Sequence, residues 1–342
     1  MSGNAAVRAG RWLRGQVYRR AEHLHLVPIE EKGAAKLVAD KSYVRVWLSE
    51  FWLAADRSWA FSRKPVVTAS AQVLFGKPDK REPGARSLEK QEFAVLIRPD
   101  AAQGIFRDYP ITEWLPYQGQ QIELRAALYS VPGKNRLLPA VDILADFASL
   151  VTPPISAAIA IADRVTAGIE KAIRSNGTEP VLPLHTSLTA PGWVVAVGAT
   201  EDDLPRAALS LNDAGQPCRD GRQLTGYNYL VLRVESCRER DDWRTPDLDM
   251  AIAAALNARD NEGAKEVWER RRDEAISKVY LSPDFTSGQR RKLAKVVKEE
   301  LDDMSYGAVS SGGVTIAEIV SRRGLPDDRE VEFLTLDDLI AR

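Results

Sequence analysis

The sequence predicts an α+β protein. Two antiparallel β units, each sandwich- or barrel-like, are separated by a helical hairpin and followed by a helical region. Three observations predict this class: strand-like stretches recur before residue 135 and after residue 180, an apolar Ala-rich stretch lies between them, and charged helical periodicity dominates beyond Pro246.

The composition is that of an ordered protein. Of the 342 residues, 44% are hydrophobic and 28% are charged, and 47 basic residues balance 48 acidic ones to a net charge of -1. So nearly neutral a chain has no overall charge that attracts nucleic acid. Two cysteines, Cys218 and Cys237, are too few for a zinc site or a disulfide framework. We therefore expect a cytoplasmic protein without a metal or cofactor.

Residues 1–40 are predicted to be a basic N-terminal arm. Five arginines precede the first acidic residue, Glu22, without an apolar signal region: Arg8, Arg11, Arg14, Arg19 and Arg20. Such a start fits a solvated arm or first helix, a targeting segment, or a contact with phosphate groups. Binding of nucleic acid or an anionic membrane through residues 1–21 is therefore an alternative function.

The first β-rich domain is predicted at 41–135. It contains four stretches with the β-branched and aromatic composition of strands, at 43–48, 65–75, 93–97 and 122–129.

The second β-rich domain is predicted at 179–243. It contains a buried strand at 193–197 and the clearest strand of the chain at 227–234, whose alternate residues belong to two faces.

A helical hairpin is predicted at 136–178. Acidic residues at helical spacing interrupt its apolar sequence, and Pro153 and Pro154 divide it because proline breaks a helix. Residues 147–162 carry no charge, but the prolines cut this stretch short of the roughly 20 residues that a membrane span needs. We expect a hairpin buried between the two β units and no transmembrane segment.

A helical region is predicted at 244–304, with apolar residues at helical spacing in 248–258, 264–279 and 286–304. Asp284 and Thr286 offer N-cap oxygens for the last of these helices.

A linker and C-terminal tail are predicted at 305–342. The apolar residues of the tail have the spacing of a helix that binds in a groove: Phe333, Leu336, Leu339 and Ile340. Thr335 and Asp338 form a capping-box pattern at the start of that helix. The groove belongs either to a partner or to the same chain.

The segment after the clearest strand is a second candidate for partner binding. It combines charges of both signs with a tryptophan: Arg238, Arg240, Asp241, Asp242 and Trp243. Such a combination suits a partner contact, and it equally suits a surface ion-pair network.

No motif of a known catalytic centre occurs, since the sequence has no phosphate loop, GxGxxG, GxSxG or HExxH. No catalytic or metal-binding residue is therefore assigned. The sequence predicts a non-enzymatic structural or protein-interaction protein, an adaptor or scaffold that binds another protein through its β units and tail. The alternative is an enzyme with dispersed acid and base residues, for which His185, Asp241 and Asp242 are the candidates.

Overall fold

The computed structural model describes residues 25–54, 57–58, 61–78, 86–97, 106–132, 180–240, 243, 245–262, 265–304 and 314–341. The arginines of the predicted basic arm, the predicted helical hairpin and the predicted linker lie outside the described residues, as do Asp241 and Asp242.

The described part of the chain contains fourteen strands. They are β1 (His25–Glu30), β2 (Tyr43–Trp52), β3 (Arg57–Ser58), β4 (Phe61–Pro78), β5 (Arg86–Ile97), β6 (Phe106–Pro110), β7 (Leu115–Pro116), β8 (Ile122–Pro132), β9 (Leu182–Leu188), β10 (Gly192–Val197), β11 (Leu209–Leu211), β12 (Pro217–Arg219), β13 (Arg222–Gln223) and β14 (Tyr229–Cys237).

The strands form two large antiparallel sheets and one small one. The first sheet has the order β1-β10-β14-β2-β6, with β7 also paired to β2. In the second sheet, β4 pairs with β3, β5 and β8, and β8 pairs with β9. The small sheet consists of β11, β12 and β13.

The two stretches predicted as separate β units share these two sheets. Strand β14, from the second stretch, pairs with β2 of the first, and β9 pairs with β8. Strand β10 pairs with β1, which lies in the stretch predicted as the basic arm, so His25–Glu30 is a strand of the first sheet. The α+β class is confirmed, but the two stretches form one sandwich. Alternation along a strand shows which residues share a face and carries no information about which other strand lies beside it.

The core of the sandwich lies between the two large sheets. Alternate residues of each strand point into it, so Val46 of β2 and Leu232 of β14 pack in the same cluster as Val67 of β4 and Leu124 of β8. These four side chains have no exposed surface. Each sheet therefore has one inner face toward the core and one outer face, and the candidate sites lie on the outer faces.

Six helices follow in the described residues. They are α1 (Pro246–Glu262), α2 (Lys265–Leu281), α3 (Ser287–Met304), α4 (Ile316–Arg323), α5 (Asp328–Val331) and α6 (Leu336–Ile340). Apolar residues from α1, α2, α3, α4 and α6 build a second core that includes Phe285. None of these helices is long and apolar enough to cross a membrane.

The sandwich caps one of the helices. The first turn of a helix has N–H groups without partners in the helix itself. At the start of α3, the Thr286 N–H donates to the Tyr43 hydroxyl at 2.8 Å, and the Ser287 N–H donates to Asp40 at 3.0 Å. Thr286 also acts as N-cap, because its hydroxyl accepts from the Gln289 N–H. Burial raises the pKa of Tyr43 to about 12, against the opposing hydrogen bond from Thr286.

Candidate functional site

The outer face of the first sheet carries a cluster of tryptophan and arginine side chains. We call the cluster the Arg–Trp face, and it consists of Arg45, Trp47, Trp114, Trp193 and Arg233. Cross-strand pairing builds it, since Trp47 of β2 and Trp193 of β10 both stand opposite Arg233 of β14. Residues directly opposite each other in a sheet share a face, so rings and guanidinium groups alternate across three strands.

Each guanidinium group of the Arg–Trp face stacks on indole rings. The Arg45 guanidinium lies 4.3 Å from the ring centroid of Trp47 and 4.3 Å from that of Trp114. The Arg233 guanidinium lies 4.9 Å from the Trp193 ring centroid. These separations are within the range of cation–π attraction.

Two carboxylates hold the arginines in place. Glu235 accepts from Arg45 Nη2 at 2.8 Å and from the Trp47 indole N–H at 2.9 Å, and Glu31 accepts from Arg233. Burial alone would favour the protonated form of Glu235, but the hydrogen bonds from Trp47 and Arg45 outweigh it and lower its pKa. The carboxylate therefore remains charged at neutral pH.

The Arg–Trp face is partly exposed to solvent, although Trp114 is buried. The side chains of Arg45 and Arg233 are 25% and 27% exposed, and the Trp47 and Trp193 rings are half-buried. Trp193 rests on the turn at Gly215, where φ is +73° and an added Cβ would lie 2.6 Å from the ring. The turn therefore needs glycine to receive the ring.

A β-bulge separates the Arg–Trp face from an apolar end of the same outer face. The register of β2 and β14 shifts between Val231 and Leu232, and this shift turns Glu50 outward. Glu50 is 1% exposed and accepts a hydrogen bond from the Tyr229 hydroxyl. Beyond the bulge, the small sheet and its flanking loops supply Leu204, Leu209 and Leu224, which pack in the cluster that contains Val231.

The outer face of the second sheet holds a different polar cluster, which contains His185. We call it the His185 network. Arg125 of β8 donates to Glu92 at 3.2 Å and to Glu123 at 2.9 Å, and His185 Nε2 lies 2.7 Å from Glu123. Ser70 donates to Glu92 at 2.9 Å. Three strands, β4, β5 and β9, thus meet β8 through polar side chains on this face.

The His185 network is more buried than the Arg–Trp face. The Arg125 side chain is 10% exposed and that of Glu92 is 8% exposed. Burial favours the protonated form of Glu123, but hydrogen bonds and charges from Arg125 and His185 outweigh it and lower its pKa to about 2. The network therefore keeps a charged carboxylate in contact with a histidine.

A histidine oriented by a carboxylate is one half of a general-base arrangement, which also needs a nucleophile. In the part of the chain that the structure describes, no hydroxyl or thiol group hydrogen-bonds to His185. No group of three or more His, Cys, Asp or Glu side chains that suits a metal occurs among the described residues. The enzyme alternative stays a prediction, since its other candidates, Asp241 and Asp242, are outside that part of the chain.

The segment after β14 joins the sandwich to the helices. Arg240 is 7% exposed; it donates to the Asp284 carbonyl and its guanidinium lies 5.4 Å from the Phe285 ring centroid. Trp243 packs on the same ring, with 6.2 Å between centroids. Arg238 is exposed. Arg240 and Trp243 thus make contacts within the chain at this junction. The partner contact predicted for this segment stays a prediction.

The C-terminal segment docks on the helices of its own chain. Leu339 is 1% exposed in the second core, and Leu336 and Ile340 pack against that core while partly exposed. The predicted capping box is confirmed, since the Thr335 hydroxyl accepts from the Asp338 N–H and Asp338 accepts from the Thr335 N–H. Phe333 is 85% exposed, and of the tail residues predicted to bind a partner it is the most open to one.

Sequence reasoning missed the Arg–Trp face. Arg45, Trp47 and Arg233 were visible at outward positions of two predicted strands, and a tryptophan beside a charge at such a position is a usable signal. The sequence did not show that β14 pairs with β2 and β10, and this pairing brings the side chains together.

Comparison with known proteins found no match among family models, curated proteins or solved structures.

Proposed function

We propose that the protein is a non-enzymatic interaction protein that binds another protein through the Arg–Trp face of its first sheet. The observation that supports this is the combination of half-buried tryptophan rings and stacked, partly exposed guanidinium groups on one sheet face. Tryptophan and arginine are enriched among the residues that dominate binding energy at protein interfaces.

The geometry of the face suits binding without large rearrangement. Arg45 is fixed between Trp47 and Trp114 and held by Glu235, so little side-chain freedom remains to be lost when a partner binds. The rings offer apolar area, and the guanidinium edges offer N–H donors. The partner surface that fits is an apolar or aromatic side chain flanked by carbonyl or carboxylate oxygens.

The test uses two variants of the full-length chain. Trp47→Ala removes a ring from the Arg–Trp face, and Phe333→Ala removes the exposed ring of the C-terminal segment. Proteins captured from a native lysate by the wild type are identified, and the affinity of each purified one is then measured by titration with both variants. Thermal melting checks that each variant folds.

We expect Trp47→Ala to weaken binding about tenfold or more and Phe333→Ala to leave the affinity unchanged, because truncating an interface tryptophan typically costs about 2 kcal/mol or more. If only Phe333→Ala abolishes binding, the binding site lies in the C-terminal tail. If neither variant weakens binding, the proposal for the Arg–Trp face is overturned, and the C-terminal tail is not the binding site either.

A further inference from the structure

An apolar cluster lies on the outer face of the second sheet, next to the His185 network. It consists of Val66 on β4 together with Ala127, Tyr129 and Val131 on β8, and Leu96 of β5 packs against it. Alternation places these residues opposite to Val67 of β4 and Leu128 of β8, which point into the sandwich core. The cluster therefore faces away from the first sheet.

The side chains of this outward cluster are nevertheless buried. Tyr129 is 3% exposed, Val131 is 6% exposed and Ala127 has no exposed surface. Among the described residues, the only further apolar neighbour that packs on the cluster is Leu96, which belongs to the same sheet. A sheet shields the sides of its own outward rings but not their tops, so another layer must cover Tyr129. Burial also raises the pKa of the Tyr129 hydroxyl, although a hydrogen bond with Thr68 opposes the shift.

The chain itself supplies one segment of suitable length and position. Strand β8 ends at Pro132, directly after Val131, and its antiparallel neighbour β9 begins at Leu182. The chain between them, residues 133–179, thus leaves and re-enters the second sheet at the same end, beside the cluster. Its sequence from 147 to 162 carries no charged residue and needs apolar surface to cover it.

Three other segments outside the described residues are less suitable to cover the cluster. Residues 98–105 also leave the second sheet near the cluster, since Ile97 pairs with Val67, but they are few, include Arg98 and Asp100, and lead to β6 in the first sheet. Residues 1–24 lead to β1, which is an edge strand of the first sheet. Residues 79–85 are highly charged.

We propose that the outer face of the second sheet is an intramolecular docking surface, and that its occupant is the apolar part of the connection from β8 to β9, residues 137–173. The cluster of Val66, Ala127, Tyr129 and Val131 receives apolar side chains of this segment. The His185 network borders the same surface and pairs its charges within the sheet. The first sheet offers its outer face to a partner, whereas the second uses its outer face for its own chain.

Photo-crosslinking in the full-length chain tests the proposal. The probe is p-benzoylphenylalanine in place of Tyr129, an aromatic replacement that reports which C–H groups lie against the ring. After irradiation, mass spectrometry identifies the attached peptide, and gel mobility separates crosslinks within one chain from those between chains. The same probe in place of Phe333, which is 85% exposed, is the control.

We expect the probe at 129 to attach mainly to peptides from 137–173 of the same chain, and the probe at 333 to attach to none of them. Attachment to 1–24, 55–60 or 98–105, attachment to a second copy or another protein, or no attachment would each overturn the proposal. If the variant at 129 does not fold, the probe replaces the partly exposed Leu96 and the same outcomes apply.

Discussion

The two outer faces of the sandwich both carry arginine–glutamate ion pairs, but these pairs lie in different surroundings. On the first sheet, Arg45 pairs with Glu235 while its side chain remains 25% exposed. On the second sheet, Arg125 pairs with Glu92 and Glu123, and its side chain is 10% exposed. The first arginine stacks on tryptophan rings, and the second lies beside a buried apolar cluster.

This difference separates an accessible face from an internal one. A partly exposed ion pair contributes less to folding than a buried one, because water already solvates part of both charges. A buried arginine between two carboxylates contributes more, because removing it takes the shared positive charge from two poorly solvated groups. The exposure of the arginine thus distinguishes the face that we propose for a partner from the face that we propose for the chain itself.

The largest expected effect is that of Arg125→Ala. The substitution leaves Glu92 and Glu123 without their shared guanidinium in a poorly solvated place, so we expect the free energy of unfolding to fall by about 3–5 kcal/mol. The matched substitution on the first sheet, Arg45→Ala, should cost less, about 1–2 kcal/mol, because its ion pair is partly solvated and the main loss is the stacking on Trp47 and Trp114. Urea unfolding of both variants at neutral pH measures the difference. An equal loss of stability in both variants would contradict the difference in burial between the two arginines.

The C-terminal segment offers the same contrast between buried and exposed positions. Leu339→Ala should lower the free energy of unfolding by about 2–5 kcal/mol, because it opens a cavity where Leu339 is 1% exposed. Phe333→Ala, at a position 85% exposed, should change it by no more than about 0.5 kcal/mol. Thermal or urea unfolding distinguishes the two. A loss of similar size at both positions would argue against docking of the segment on its own helices.

Acid should weaken the His185 network more than the Arg–Trp face. The pKa of Glu123 lies at about 2 in the folded protein and near 4.5 in an unconstrained glutamate, so its contribution is complete above about pH 4.5 and is lost toward about pH 2. The stability difference between wild type and Glu123→Gln should therefore shrink as the pH falls through this window. Unfolding curves at a series of pH values measure it, with Glu235→Gln as the comparison. A constant difference would contradict the assigned pairing.

The smallest expected effect is that of salt. At about 1 M salt the screening length is roughly 3 Å, so the loss caused by Arg45→Ala should decrease by a few tenths of a kcal/mol. The loss caused by Arg125→Ala should stay almost constant, because ions do not reach a buried pair. Unfolding of both variants at low and high salt provides the measurement. Equal salt dependence would place Arg125 in contact with solvent.

Local pattern was enough to predict most of the long elements. The stretch predicted as the clearest strand, 227–234, corresponds to β14, and the helices predicted at 264–279 and 286–304 correspond to α2 and α3. These stretches are long, and their apolar residues recur at a spacing close to two or to 3.6 residues over several pleats or turns. The capping box at Thr335 was likewise predictable, because its two residues are three apart in the chain.

Partners distant in sequence could not be predicted. Arg45 and Glu235 are 190 residues apart, and Glu123 and His185 are 62 apart, so neither pair leaves a local signature. Short strands such as β6 and β7 exist because they complete an edge of the first sheet, and their own residues show little alternation. The contacts of Arg240 and Trp243 were missed for the same reason, since both pack on Phe285 more than 40 positions away.

The position of β14 in the first sheet has a consequence for biosynthesis. This strand lies between β10 and β2, and among the strands in the described residues it is the last to leave the ribosome. Until it arrives, β2 lacks its longest neighbour, so the edge of β2 that faces β14 is unpaired while its other edge pairs with β6 and β7. Sheets that depend on such late, distant pairing form slowly and expose aggregation-prone edges meanwhile. Nascent chains shorter than about 237 residues should therefore depend on chaperones for their solubility.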